Sequence, residues 1–214
     1  AGLTVAGGRL TGSDNIYWRI AQFLMPVHAY APSSMPGENI FGQSFIPVTD
    51  TSCWIYTYAW NPERPLTQAE RDAYDRGNGV IAEVDDNYVP LRHKGNDYLI
   101  DRKLQKTRSY TGIKGVSEQD AAVQDSQGPI ADRTREHLGP TDLGIMHFRK
   151  LMMEAARALQ QGDAPPHVKH QDRYTVRSGA CVTSKTKDLT AVMIERFGDP
   201  VGFVGRSGRD AAAE

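Results

Sequence analysis

From Thr141 onward, Ile145, Phe148, Met152, Ala155 and Leu159 recur at three- and four-residue spacing, and the pattern stops at Gly162. That is the period of an amphipathic helix, the longest this chain can form, and such a helix folds only against an apolar surface. The surface is encoded upstream. Leu3-Thr4-Val5 reads as strand, and residues 16–31 (IYWRIAQFLMPVHAYA) are rich in aromatic and β-branched residues without a helix cap. They read as one long strand that Pro26 interrupts or ends. Phe45 to Val48 and Ser52 to Trp60 read as two further strands, close enough to pair antiparallel across the turn residues around Asp50. Strands first and helices later predict an α+β domain in which the long helix lies across a curved antiparallel sheet.

Between sheet and long helix, Thr67-x-x-Glu70 is a capping box that opens a short surface helix, which Gly77 can end. Residues 78–116 form a loop-rich excursion with few apolar side chains to bury. Long irregular segments of this kind serve as functional covers or oligomer contacts. Ser117-Glu118-Gln119-Asp120 has the spacing of a second capping box, with Ser117 as N-cap and Asp120 as the N3 acid of a helix that Gly128-Pro129 breaks. A helical turn is expected around Asp132 to His137. After Gly162 the chain turns polar from Asp163-Ala164-Pro165-Pro166, with one apolar stretch, Leu189 to Phe197. The expected division is a domain over 1–162, incomplete at its N-terminus, and a C-terminal extension over 163–214.

The 214 residues suffice for one core without covalent staples. Charge narrows the partners, because 25 basic and 26 acidic residues nearly cancel and no Lys/Arg block stands out, which argues against nucleic acid. No apolar run approaches the ~20 residues a membrane-spanning helix needs, and no basic-then-apolar signal opens the chain, so no membrane association is expected. Cys53 and Cys181 are far apart and form no C-x-x-C pair, which encodes neither a disulfide framework nor a cysteine metal site and fits a cytoplasmic protein. The chain begins at Ala1, just before strand-like residues, as though something upstream had been removed.

Four strings between Lys94 and Leu138 point further: Gly95-Asn96-Asp97-Tyr98-Leu99-Ile100-Asp101-Arg102, Tyr110-Thr111-Gly112-Ile113-Lys114-Gly115-Val116, Gln119-Asp120, and Ser126-Gln127-Gly128-Pro129-Ile130-Ala131-Asp132-Arg133-Thr134-Arg135-Glu136. In order and spacing they resemble the α subunits of phthalate-type Rieske non-haem iron aromatic-ring-hydroxylating oxygenases, as does WNPERPLT at 60–67. The likeness runs from about Tyr17 to about Gly162 and implies the C-terminal catalytic domain, with a helix-grip (START-like) sheet. It also implies a mononuclear Fe(II) held by two histidines and a carboxylate, whose open positions accept dioxygen beside an aromatic substrate. Asp120 stands in the place of the carboxylate. Asp125 departs mildly from the glutamate that the family often has there. Electrons would come from NAD(P)H through a reductase and a Rieske [2Fe-2S] cluster, in a homotrimer. Dihydroxylation, monohydroxylation and oxidative demethylation all occur on this scaffold.

Composition leaves an alternative for Asp120, since the N3 acid of a capping box needs no metal. The sequence also lacks an H-x-x-x-H or H-x-x-x-x-H pair, and it lacks the C-x-H and C-x-x-H motifs of a Rieske cluster. The chain alone is therefore expected to be inactive. His167 and His170 are the one close histidine pair, placed in a polar tail that supplies no third ligand; His28, His93, His137 and His147 are isolated and read as surface or satisfied core histidines. Arg19 and Gln22 are the polar exceptions in the aromatic strand and the candidate substrate contacts. An arginine there could fork a substrate carboxylate, and strand alternation sends the two to opposite faces. Two other classes remain open: a non-catalytic helix-grip module enclosing an apolar ligand, and a structural subunit using residues 78–116 as its interface.

Overall fold

Strands β1 (Gly2–Thr11) and β2 (Asn15–Leu24) form an antiparallel hairpin in the computed structural model, whose described residues are 2–32, 37–77, 79–165, 168 and 174–197. Gly12 turns the chain between them at φ +66°, a conformation that a side chain disfavours. Pro26 acts as a break within the aromatic stretch, so the expected long strand is two: β2 ends at Leu24, and β3 (His28–Tyr30) folds back with His28 opposite Leu24. Strand β4 (Ile40–Thr49) and strand β5 (Ser52–Trp60) follow, joined at Asp50 as their spacing requires. The fold is α+β. Its antiparallel sheet runs β1-β2-β3-β4-β5, and a sixth strand, β6 (Gly179–Ser184), pairs with β2.

The helices are α1 (Gln68–Asp75), α2 (Arg102–Thr107), α3 (Val116–Asp125), α4 (Leu143–Gln160) and α5 (Leu189–Phe197). The chain divides into two compact units, residues 1–42 with 138–214, and residues 43–137. In the first unit, β2 is the central strand. It gives one edge to β1 along its whole length and shares the other, with β6 opposite residues 15–20 and β3 opposite residues 22–24.

The long helix sits on this sheet as its period demands. The Phe148 ring meets Phe23 of β2 edge-on at 4.7 Å, and Ala155 is buried. Gly144 lies so close to β1 that a Cβ there would stand 3.1 Å from both methyls of Val5. That close approach turns the contact stripe away from the outer positions of the sequence pattern. Ile145 and Leu159, expected to face the sheet, are 46% and 61% exposed, whereas Phe148, Met152 and Ala155 take the inner positions.

The opposite face of β2 carries the apolar cluster of Ile20, Cys181, Val192, Met193 and Phe197, with Trp18 packed against it. Three of these residues belong to α5 and one to β6, so the apolar stretch Leu189 to Phe197 of the polar tail supplies core to the first unit. Each such aliphatic side chain contributes about 1.5–3 kcal/mol when fully buried. Trp18 completes its contact by donating from Nε1 to Thr183 Oγ1 at 3.1 Å, so its one polar atom is not stranded.

The second unit is looser in regular structure. Thr67 caps α1 in the reciprocal manner its spacing predicts, accepting from Glu70 N while Glu70 accepts from Thr67 N, and Arg64 adds a two-point pair to Glu70 with both distances 2.8 Å. Residues 79–115 form the expected excursion, with 3-10 turns over Lys94–Leu99 and the short helix α2. Asp132 caps the 3-10 turn Arg133–Arg135, which accounts for the helical signal in the GPIADRTRE string.

Candidate functional site

Helix α3 carries Asp120, and its start corrects one expectation. Ser117 is not the N-cap. The helix begins at Val116, with Gly115 as N-cap at φ +85° and ψ 146° and no side-chain cap bond. The reason is tertiary, since the Val116 N–H is taken by the carbonyl of Gly79 at 3.0 Å, so an orphan donor of the first turn finds a partner without a serine. The acid of the first turn is therefore Glu118, and Asp120 lies two residues further on, past the first turn. Among the described residues its carboxylate enters no hydrogen bond or ion pair, and it is exposed. The helix-cap explanation of Asp120 falls away, and an acid with both oxygens open to a ligand remains.

Glu118 does what a capping acid does not. Its side chain is buried, 2% exposed, with Oε1 accepting from the Glu83 N–H at 3.3 Å and lying 3.9 Å from Arg92 Nη1. Arg92 in turn bonds Glu83 at 3.1 Å, and Lys114 reaches both Glu83 Oε2 (3.1 Å) and the Arg76 carbonyl (2.9 Å). Those two cations hold the Glu83 carboxyl below its usual range through hydrogen bonds, first from Arg92 and then from Lys114. Glu118 Oε2 is buried without a hydrogen-bond partner among the described residues and sits over the bare Cα of Gly115. Of these four charges only Glu118 is buried, and removing Arg92 would leave it without its nearest cation.

The other end of α3 is held by the NDYLIDR string. Asn96 and His93 close a reciprocal cap, His93 Nδ1 accepting from Gly95 N at 3.1 Å and Asn96 Oδ1 accepting from His93 N at 3.0 Å. Asp97, Tyr98 and Leu99 then adopt φ values of +50°, +53° and +49° in succession. Each left-handed residue other than glycine costs about 1–2 kcal/mol, so three in a row persist only because the surroundings impose them. Their effect is to bury Tyr98, whose hydroxyl donates to Asp125 Oδ2 at 2.5 Å. Burial, followed by that bond and by the Asp125 charge, pushes the phenol up to about 12, so it remains a proton donor at neutral pH. Asp101 finishes the string by capping α2 through Lys103 N and Leu104 N, both at 2.8 Å, and by donating its own N–H to the Gly112 carbonyl.

Asp120 thus belongs to the second unit, and the other two candidates, Arg19 and Gln22, belong to the first. Strand alternation separates those two as expected. Gln22 is buried at 3% exposure, with Oε1 accepting from Thr4 Oγ1 at 2.6 Å and Nε2 donating to the Arg177 carbonyl at 2.9 Å, which braces β2. Arg19 is exposed on the face that also carries Phe23, and its Nε donates to the Pro32 carbonyl at 3.1 Å. One N–H of the guanidinium's five fixes its orientation there.

Glu118, Tyr98 and Gly115 were not legible as parts of this arrangement, because a buried acid and a left-handed tyrosine have no sequence signature of their own. His93 is a turn cap, His137 and His147 are exposed, and His28 is half-buried in β3. His167 and His170 lie outside the described residues. Among the described residues no three of His, Cys, Asp and Glu come together as a metal group, and no helix is long and apolar enough to cross a membrane. The donor fits one corner of a ferrous site: a hard carboxylate oxygen, which Fe(II) accepts beside imidazoles.

Comparison with known proteins extends past the expected limit at Gly162. A family model described as "LigXa C-terminal domain like" matches residues 10–197, which includes β6 and α5. The oxygenase subunit of 3-chlorobenzoate-3,4-dioxygenase from Comamonas testosteroni is 35% identical over 198 residues, covering 86% of this chain and 46% of that protein. The phthalate 4,5-dioxygenase oxygenase subunit from Pseudomonas putida is 38% identical over 152 residues, 69% of this chain and 33% of that protein. The chain therefore spans less than half the length of either relative.

Proposed function

This chain belongs to the LigXa C-terminal-like family, the C-terminal catalytic domains of Rieske aromatic-ring-hydroxylating oxygenase α subunits, and from that premise we propose that it supplies the carboxylate of a mononuclear Fe(II) site through Asp120. The observation that carries the reading is the position of Asp120 on α3, beyond the first turn, exposed and without a partner among the described residues. Two histidine ligands and a Rieske [2Fe-2S] cluster would come from the part of the relatives that this chain does not span, with electrons from NAD(P)H through a reductase. Fe(II), when bound, supplies open coordination positions at which dioxygen is activated beside an aromatic substrate. Asp120 contributes negative charge that offsets the metal's. A rigid helix holds that carboxylate in one direction, which a loop would not.

The reading is tested by comparing the isolated chain with the intact oxygenase subunit, each given Fe(II), reductase, NADH and an aromatic acid. The intact subunit is expected to form oxygenated product and the isolated chain none. Product from the isolated chain above a no-protein control, or none from the intact subunit across a panel of aromatic acids, would count against it.

For substrates that carry a carboxylate, Arg19 is the proposed clamp, because its planar fork matches a carboxylate with two parallel bonds and its stem is already fixed by Pro32. Arg19→Met in the intact enzyme is expected to raise KM for acidic substrates by the loss of a charge-assisted pair worth ~1.5–3 kcal/mol, with little change for neutral ones. Unchanged kinetics with an acidic substrate would remove Arg19 from the site.

A further inference from the structure

Helix α3 is anchored on both sides of Asp120. Before it, Glu118 is buried against Glu83 and Arg92, and Gln119 donates from Nε2 to the Ile113 carbonyl at 3.1 Å. After it, Asp125, the last residue of the helix, accepts from Tyr98. These contacts fix the rotation of α3 about its own axis as well as its place. Rotation is what decides where a side chain in the middle of a helix points, since 3.6 residues make a turn and a roll of about 20° moves a carboxylate at the helix rim by about 2 Å.

The Tyr98 contact is also the one accompanied by backbone strain, with three consecutive non-glycine residues, Asp97, Tyr98 and Leu99, at positive φ. Strain of this kind gathers where geometry matters to function.

We propose that Tyr98 is a positioning residue of the iron site, acting through its hydroxyl on Asp125 to set the rotation of α3 and hence the direction in which the Asp120 carboxylate meets the metal. The proposal rests on Asp120 being the ligand. It gives the NDYLIDR string a role one step removed from the metal: Tyr98 touches neither iron nor substrate, and works by holding the helix that does.

The experiment is an anaerobic Fe(II) titration of the intact oxygenase, stripped of mononuclear iron, with thermal melting recorded beside it. Tyr98→Phe keeps the ring and loses only the hydroxyl. Partners that orient a metal ligand typically account for about 10–100-fold in affinity, and Tyr98→Phe is expected to weaken Fe(II) binding by that order, with the Rieske absorption unchanged. Asp125→Ala, at an exposed residue, should weaken binding as much, and the double variant no further, because both remove the same bond. Asp125→Asn keeps an acceptor oxygen and should bind within a few-fold of the parent, about the spread expected when a bond is retained. A purely structural tyrosine would lower the melting temperature and leave the affinity alone. Parental affinity in Tyr98→Phe and Asp125→Ala, beside loss of iron in Asp120→Asn, overturns the positioning role and leaves the ligand in place. Retention of iron in Asp120→Asn overturns both.

Discussion

Asp120→Asn in the intact oxygenase is expected to abolish mononuclear iron binding and turnover while leaving the fold unchanged. Asparagine has the shape of aspartate and can still offer one oxygen, but it lacks the charge that offsets Fe(II), so the proposed site would lose the carboxylate assigned to it. The fold should not notice. Asp120 is exposed and makes no cap bond, and substitutions at surface positions away from buried or capping contacts stay within about ±0.5 kcal/mol. Iron analysis, turnover and thermal melting on one preparation decide the matter, with the visible absorption of the Rieske cluster as internal reference. Iron content and activity near the parental values would sink the assignment. A drop in melting temperature with iron retained would point instead to an unseen structural contact.

Gly115→Ala is expected to act on stability, and strongly. The N-cap of α3 sits at φ +85° and ψ 146°, a region that only glycine enters readily. A Cβ built there would stand 2.0 Å from Glu118 Oε2, which cannot swing aside without leaving the Glu83 N–H and the neighbourhood of Arg92. Backbone strain of about 1–3 kcal/mol and overpacking of similar size share one relaxation, so a loss of about 2–4 kcal/mol is the expected sum. Denaturant unfolding measures it. A midpoint indistinguishable from the parent's would show that the first turn of α3 can shift freely and that Glu118 does not fix it.

Where a pattern was local, the sequence was a reliable guide. The β4–β5 hairpin, the Thr67 to Glu70 capping box and the end of α4 just before Gly162 each depend on residues within one turn or one hairpin of each other. The identity of Asp120 as a candidate came from the strings around it, which lie within the residues 10–197 that match the family model.

Other features depended on partners far along the chain. Ser117, Glu118 and Asp120 have the spacing of a capping box, yet α3 starts two residues earlier because Gly79 meets the Val116 N–H and Glu118 is drawn inward by Glu83 and Arg92. Residues 179–184 read as part of a polar tail and become a strand because β2 has an open edge opposite residues 15–20. The stripe of α4 shifts because Gly144 admits Val5. Tyr98 has ordinary neighbours in sequence and a left-handed backbone in the fold.

What the sequence by itself determined was the fold class, the order of most elements, the family strings and the carboxylate to suspect. Only the tertiary structure decided which acid is buried and which is open, where α3 begins, and what holds it at each end. The physical reason is that helix and strand periods and caps arise from interactions between residues a few positions apart, which can be read directly. Burial of Glu118 and the turn of Tyr98 arise from groups brought together across loops, whose closure becomes favourable only when the whole unit packs.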